Sequence, residues 1–252
     1  MPLSIEDRNR LSIEADGLLR SGRACEAFGI LHLLVADSPD HPMAGLYQML
    51  LRVELLKTQG LPPVGPELSK SYADKLRSGF FDRWLSGPKI LDIGYRGSFY
   101  EAAPALPHAK GIDQDTPGYD GLHLPFPDDS QDGVFACHCL EHMQDMTKAL
   151  AEWMRVVRPG GHLVVIVPHQ HLYEKRRKLP SPWNPDHKHF ITPARLLTAV
   201  EAALPVNGYR LRHLADNDFA FNYALGPERH SVGCYEIEMV LEKRPPPAWS
   251  LA

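Results

Sequence analysis

The 252-residue chain carries 27 Lys and Arg against 31 Asp and Glu, a formal net charge of −4 with a pI near 6.3. That balance excludes bulk attraction to nucleic acid or an anionic membrane surface, and the apolar run 163–167 is far short of a membrane span. The start MPLSIEDRNR has no apolar signal core, and the four cysteines, Cys25, Cys137, Cys139 and Cys234, form no C-x-x-C pair, so the chain reads as a cytoplasmic protein with reduced thiols, one large domain or a domain with an extension.

The first 85 residues predict helices. Ser4 with Asp7 is suited to cap the first one, and Leu11, Ala15 and Leu18 lie along one face. Gly22 breaks it. A second helix runs from about Ala24 to Ala36, with Ala27, Leu31 and Leu34 on one stripe, and Ser38-Pro39 ends it. A third runs from Met43 to Gln59 and stops at Gly60. The spacing from Leu11 to Pro39 resembles one tetratricopeptide repeat. Two readings of this extension, residues 1–66, stand side by side. One is a helical cover for the domain that follows, the other a surface for a protein partner or self-association. Residues 62–66 form a Pro-rich linker. Residues 67–85 then predict one further helix, with Tyr72, Leu76, Phe80 and Phe81 apolar.

From Lys89 the pattern alternates strand and helix, the mark of a parallel sheet with right-handed crossovers. Strands are expected at 89–94, 110–113, about 120–123, 132–137, 161–167, 208–216 and 233–243, and helices near 97–105, 144–157 and 193–204. Thr192 and Pro193 suit the cap and first position of the last helix. Residues 246–252 read as a loose tail.

The key stretch is KILDIGYRGSFY, Lys89 to Tyr100. A short apolar run ends at Gly94, and Gly97 follows, so a ligand can lie against bare backbone. About twenty residues on, Gly111-Ile112-Asp113 reads as a second strand ending in an acid, placed to take ribose hydroxyls. Then come LPFPDD from Leu124, the segment CHCLEH from Cys137, and RPGG from Arg158. In this order and spacing, these motifs resemble a class I S-adenosylmethionine-dependent methyltransferase over roughly residues 85–243. Arg96 and Ser98 replace glycines usual in the family's first loop, and ten residues between Asp113 and Leu124 leave no room for the usual helix. The resemblance implies a Rossmann-like α/β fold: a mostly parallel seven-stranded sheet with helices on both faces, spanning residues 67–245. It implies S-adenosylmethionine as cofactor, with contacts from Asp92, Gly94, Tyr95, Arg96, Gly97, Asp113, Leu124, Cys137 and His138, and a small-molecule methyl acceptor.

The stretch 184–192 follows the fifth expected strand and resembles a D-P-x-H segment of the family, with Asn184 for the aspartate and His187 as the histidine. His187 reads either as a catalytic base or as a brace for the loop. His138, Glu141 and His142 spell H-x-x-E-H, which at helical spacing would share one face. In this family LEH implies packing and loop ordering, so no metal is expected, although some relatives bind one with a similar cluster. The loop 169–192 also carries a basic run, 175–178, suited to an anionic or sugar-type acceptor, and Trp183 as a stacking face. A loop of that length predicts a lid on the acceptor side. Two rivals remain: a non-catalytic relative that works through its helical extension, and a nicotinamide dehydrogenase, which the absence of G-x-G-x-x-G opposes.

Overall fold

The computed structural model describes residues 2–21, 23–38, 41, 43–97, 101–245 and 247–249, with the backbone alone for 24 and 25. Gly22, Pro39, Ser98, Tyr100 and part of the expected tail lie outside them. The chain divides into two compact units, Met1–Ala73 with Tyr95–Pro107, and Asp74–Gly94 with His108–Ala252.

The first unit contains α1 (Ile5–Arg20), α2 (Ala24–Asp37) and α3 (Ala44–Thr58). Ser4 caps α1 by accepting the Asp7 amide, as its sequence suggests. The three helices close on Ala15, Leu19, Ala27, Leu31, Leu34, Tyr47 and Leu50, so the stripes legible in the sequence are the faces that pack. The Tyr72 hydroxyl donates to the Ala105 carbonyl at 2.8 Å and the Ala103 amide to Pro63 at 2.9 Å, which tie 101–107 to this unit.

The expected helix over 67–85 is not continuous. It is a 3₁₀ turn (Leu68–Lys70), α4 (Tyr72–Arg77) and α5 (Phe80–Trp84). Gly79 stands between the last two at φ 68°, a left-handed conformation that ends one helix and starts another. The helix expected near 97–105 is also absent from 101–104, and residues 98–100 lie outside the described chain.

The second unit is built on one sheet of six strands in the order β2-β1-β3-β4-β6-β5. These are β1 (Ile90–Ile93), β2 (Lys110–Ile112), β3 (Gln131–Cys137), β4 (Val157–Pro168), β5 (Tyr209–Asn217) and β6 (Glu236–Lys243). The first four pair in parallel, and β6 runs antiparallel to both β4 and β5. This is the Rossmann-like, mostly parallel fold expected, with six described strands where seven were predicted. The strand expected at 120–123 is a turn, because Asp120 bends the chain by accepting the Leu122 and His123 amides at 2.9 and 2.6 Å.

One face of the sheet carries Leu91, Ile93, Val134, Ala136, Leu163, Val165, Val167, Ile237 and Met239. It packs on α6 (Met146–Val156) and α7 (Pro193–Ala203). Asp145 caps α6 through the Thr147 and Lys148 amides, and Thr192 with Pro193 starts α7 as expected. The opposite face meets α5, where Phe81 packs edge-on to Phe135 at 5.7 Å and Trp84 to His162 at 5.4 Å. The LPFPDD turn is held from α6: Arg155 donates to the carbonyls of Phe126 and Leu124 and to Asp128. The arginine of RPGG, Arg158, holds Asp132 at 2.6 Å, and Asp132 in turn accepts the Lys89 amide at the entry to β1. Two of the motifs that carry the resemblance therefore serve the scaffold. No helix among the described residues is long and apolar enough to cross a membrane.

Burial lowers the pKa of His162, and of His41 and His169, below the ordinary 6.5. Between the lowered folded value and 6.5 the unfolded chain binds more protons, so stability rises with pH there and is lost as pH falls. Urea midpoints should therefore drop from pH 7.5 to 5.5, and His162→Phe should flatten that drop. Parallel pH profiles for the two proteins would contradict the assignment.

Candidate active site

The parallel strands end on one edge, and the strand order reverses between β1 and β3. Loops that leave such an edge diverge at the reversal and open a crevice. Gly94, directly after β1, has φ 75°, and its amide donates to the Ile112 carbonyl at 2.8 Å. A Cβ there would come within 2.8 Å of Cys139 Sγ, so only glycine allows both the turn and the approach of the chain after β3. A larger residue at 94 would therefore disturb folding before it tested any ligand.

Asp113 follows β2, beside that turn, because Ile93 and Ile112 are register partners. It is half-buried, and its Oδ1 accepts the Gln114 amide at 2.9 Å. Asp92 is buried within β1 between Gly111 and Phe135. Cys137 ends β3 half-buried and outside any disulfide. Leu124 packs in the core, and its amide donates to Glu152 at 2.7 Å. In the other compact unit, Arg96 adopts φ 64° and the Tyr95 ring fills the space beside Gly97.

Tyr119, which the sequence reading passed over, comes from the loop that replaces the expected strand. Burial raises its pKa most, and the charges of Cys139 and Asp113 add to the shift. Its hydroxyl is buried with no hydrogen-bond partner among the described residues. An orphaned hydroxyl within the field of Asp113 fits a polar ligand at this edge.

His138 does not lie on a helix. It takes φ 51°, its amide donates to Ile166 at 2.8 Å, and a 3₁₀ turn (Leu140–His142) follows. That kink replaces the helical face expected for H-x-x-E-H, yet the three side chains still converge. Glu141 is 0% exposed, with its Oε1 3.6 Å from His138 Nδ1 and 3.7 Å from His142 Nε2. His138 Nε2 is 3.5 Å from Glu236 Oε1.

His187 reaches the same cluster from the loop after β4. It is 5% exposed, its Nδ1 lies 2.5 Å from Glu174 Oε1 and its Nε2 3.9 Å from Glu141. Glu174 belongs to a π-helical turn (Gln170–Glu174) and accepts a hydrogen bond from Ser181 at 2.5 Å. The loop is pinned: Lys188 donates from its backbone to Glu141 at 2.9 Å and from Nζ to the His142 carbonyl at 2.7 Å. Lys175 is turned inward, where Nζ meets the carbonyls of Leu225, Gly226 and Arg229, and burial lowers its pKa. Residues 176–178 keep the exposed positive charge. Trp183 packs edge-on to His230 at 5.4 Å.

The cluster continues along β6. Glu236 and Glu238 are buried, and Asn217 Nδ2 donates to both at 3.2 and 2.8 Å. Lys75 pairs with Glu238 and stands 3.8 Å from Glu236. Burial opposes the ammonium charge most strongly, but the two carboxylates outweigh it and its pKa ends above the ordinary value.

Comparison with known proteins finds similarity over part of the chain. Residues 100–165 match the family model described as a methyltransferase domain. Over 80 residues the chain is 32% identical to the demethylmenaquinone methyltransferase of Thermus thermophilus, covering 32% of this chain and 36% of that protein. Over 46 residues it is 44% identical to the methyltransferase GfsG of Streptomyces halstedii, covering 18% and 16%. The chain thus spans about a third or less of the curated relatives it matches. Among solved structures it is similar to a SAM-dependent methyltransferase from Aquifex aeolicus, at 17% identity and a TM-score of 0.44, covering 75% of this chain and 97% of that one. One from Archaeoglobus fulgidus gives 15% identity and 0.41, covering 67% and 94%. The cofactor that the match to a methyltransferase domain supports is S-adenosylmethionine.

Lys75→Ala should destabilise the protein by about 3–5 kcal/mol in urea unfolding, because it strands two buried carboxylates. A loss under about 1 kcal/mol would show that Glu236 and Glu238 do not depend on it.

Proposed function

We propose that this protein transfers a methyl group from S-adenosylmethionine to a small-molecule acceptor. The observation that carries the proposal is the Gly94 turn set against Asp113 at the carboxyl edge of a parallel sheet, in a chain that matches a methyltransferase domain model. In this reading Asp113 takes the ribose hydroxyls, and the orphaned Tyr119 hydroxyl supplies a further hydrogen bond to the cofactor. The backbone of Gly94 lines its amino-acid end. Asp92, Leu124, Cys137 and His138 complete its surroundings, Leu124 by closing the apolar floor.

Methyl transfer from a sulfonium is an in-line displacement, so alignment and exclusion of water matter most. The loop 169–192 supplies the acceptor side, held in place by Glu174 and His187. With Nδ1 engaged by the Glu174 carboxylate, the His187 ring is held in one orientation on that side. The exposed charges of Arg176, Arg177 and Lys178 favour an anionic or sugar-type acceptor. The three helices at the N-terminus are proposed as a surface for a protein partner or for self-association.

Calorimetric titration with S-adenosylhomocysteine tests the cofactor side. Asp113→Ala should weaken binding about tenfold or more, since a hydrogen bond to a charged group is worth about 1.5–3 kcal/mol. Tyr119→Phe should cost about 0.5–1.5 kcal/mol, a few-fold in affinity. Wild-type protein that binds neither S-adenosylmethionine nor its demethylated product would overturn the proposal.

A further inference from the structure

The Glu141 carboxylate is fully buried, and among the described residues neither oxygen has a hydrogen-bond partner or a Lys or Arg counter-ion. What faces it instead are imidazoles whose tautomers are set from outside. His187 Nδ1 sits 2.5 Å from Glu174 Oε1, and His142 Nδ1 sits 3.3 Å from the Asp186 carbonyl. Both partners are acceptors, so in the neutral rings each Nδ1 carries the hydrogen and each Nε2 presents a lone pair. Those two Nε2 atoms lie 3.7 and 3.9 Å from Glu141 Oε1. A carboxylate oxygen and two ring lone pairs therefore point at one another, an arrangement that a bound cation would satisfy at all three donors at once.

We propose that Glu141, His142 and His187 form a site for a divalent transition metal of the zinc class. The three donor atoms lie within 4.8 Å of one another. Two donors on one ion held at about 2.1 Å can stand at most about 4.2 Å apart. Both distances to Glu141 already satisfy that limit, and a small rotation of the His142 and His187 rings closes the rest. Two imidazoles and one carboxylate suit a borderline ion, and three protein donors leave coordination positions for water or another oxygen ligand.

The surroundings are those of a metal site. Glu174 orients the His187 ring and is itself fixed by Ser181, so a carboxylate–histidine–metal relay is already in place. The Asp186 carbonyl does the same for His142. His142 is the most exposed of the three donors, and gives the ion a way in. Charge agrees as well. Glu141 and Glu174 are both buried with no Lys or Arg partner among the described residues, and a dication would offset both. Lys75 cannot do so, because it is committed to Glu238 and Glu236.

The test uses the full chain, stripped with a chelator, dialysed and titrated with Zn²⁺ alone. Calorimetry and metal analysis should find about one equivalent bound, with a rise in thermal midpoint. Glu141→Gln and His142→Ala should weaken that binding by at least about tenfold, and Glu174→Gln, which touches no metal, by about 10–100-fold. His171→Ala, an exposed imidazole outside the cluster, should bind as wild type does. Wild-type protein that takes up no Zn²⁺ would overturn the proposal without reference to any variant. So would uptake that Glu141→Gln and His142→Ala both retain. The titration contains no cofactor or acceptor, so its outcome is independent of methyl transfer.

Discussion

The Glu141 carboxylate sets the terms for this end of the molecule. A buried carboxylate costs several kcal/mol even after relaxation, unless positive charge and hydrogen bonds surround it. It sits in the 3₁₀ turn after β3, where the Lys188 amide also fastens the long loop to its backbone. Three histidines converge on its side chain, from the β3 edge and from the loop after β4. One of them, His138, hands the interaction on to Glu236, and Glu236 shares Lys75 and Asn217 with Glu238. A single polar seam thus runs from α4 across β6 and β5 to the carboxyl edge. Its members fix one another's positions, so the loop that would face an acceptor is a packed part of the domain.

The motifs that carry the resemblance divide by physical role. LPFPDD and RPGG lie at the base of the scaffold. Arg155 closes the first onto α6, and Arg158 fastens the second to Asp132 beside the start of β1. Gly94, Asp113 and the stretch from Cys137 to His142 lie at the opposite, carboxyl ends of the strands. A match to a methyltransferase domain therefore rests in part on residues that hold the scaffold together. In the proposed function the second group acts together with residues outside the matched stretch, namely His187 and Glu174.

Much of this was legible in the sequence, for identifiable reasons. β1, β3, β4, α6 and α7 carry strong apolar runs or caps, and they stand within a few residues of their expected places. The helix break at Gly79 was readable only as a glycine, since its left-handed conformation is a matter of local backbone. The seventh strand failed because Asp120 captures amides at a place where propensity alone suggested extension. β6 misleads more deeply. Glu236 and Glu238 alternate with Ile237 and Met239, which reads as a strand with one wet face. Both glutamates are buried, because Lys75 and Asn217 meet them from distant parts of the chain. The site shows the same limit. Asp113 and Gly94 follow from strand ends and spacing. Tyr119, Glu174 and the convergence of His187 on Glu141 depend on contacts between segments that no local pattern records.

The central claim is that the carboxyl edge of the parallel strands is where this protein binds its cofactor. Hydrogen exchange, followed with and without S-adenosylhomocysteine, tests it most directly. Slowed exchange concentrated in peptides spanning 92–94, 113–119 and 137–142, with little change in α1 to α3, is the predicted result. Exchange that is unchanged throughout at saturating ligand, or protection confined to the three N-terminal helices, would contradict it.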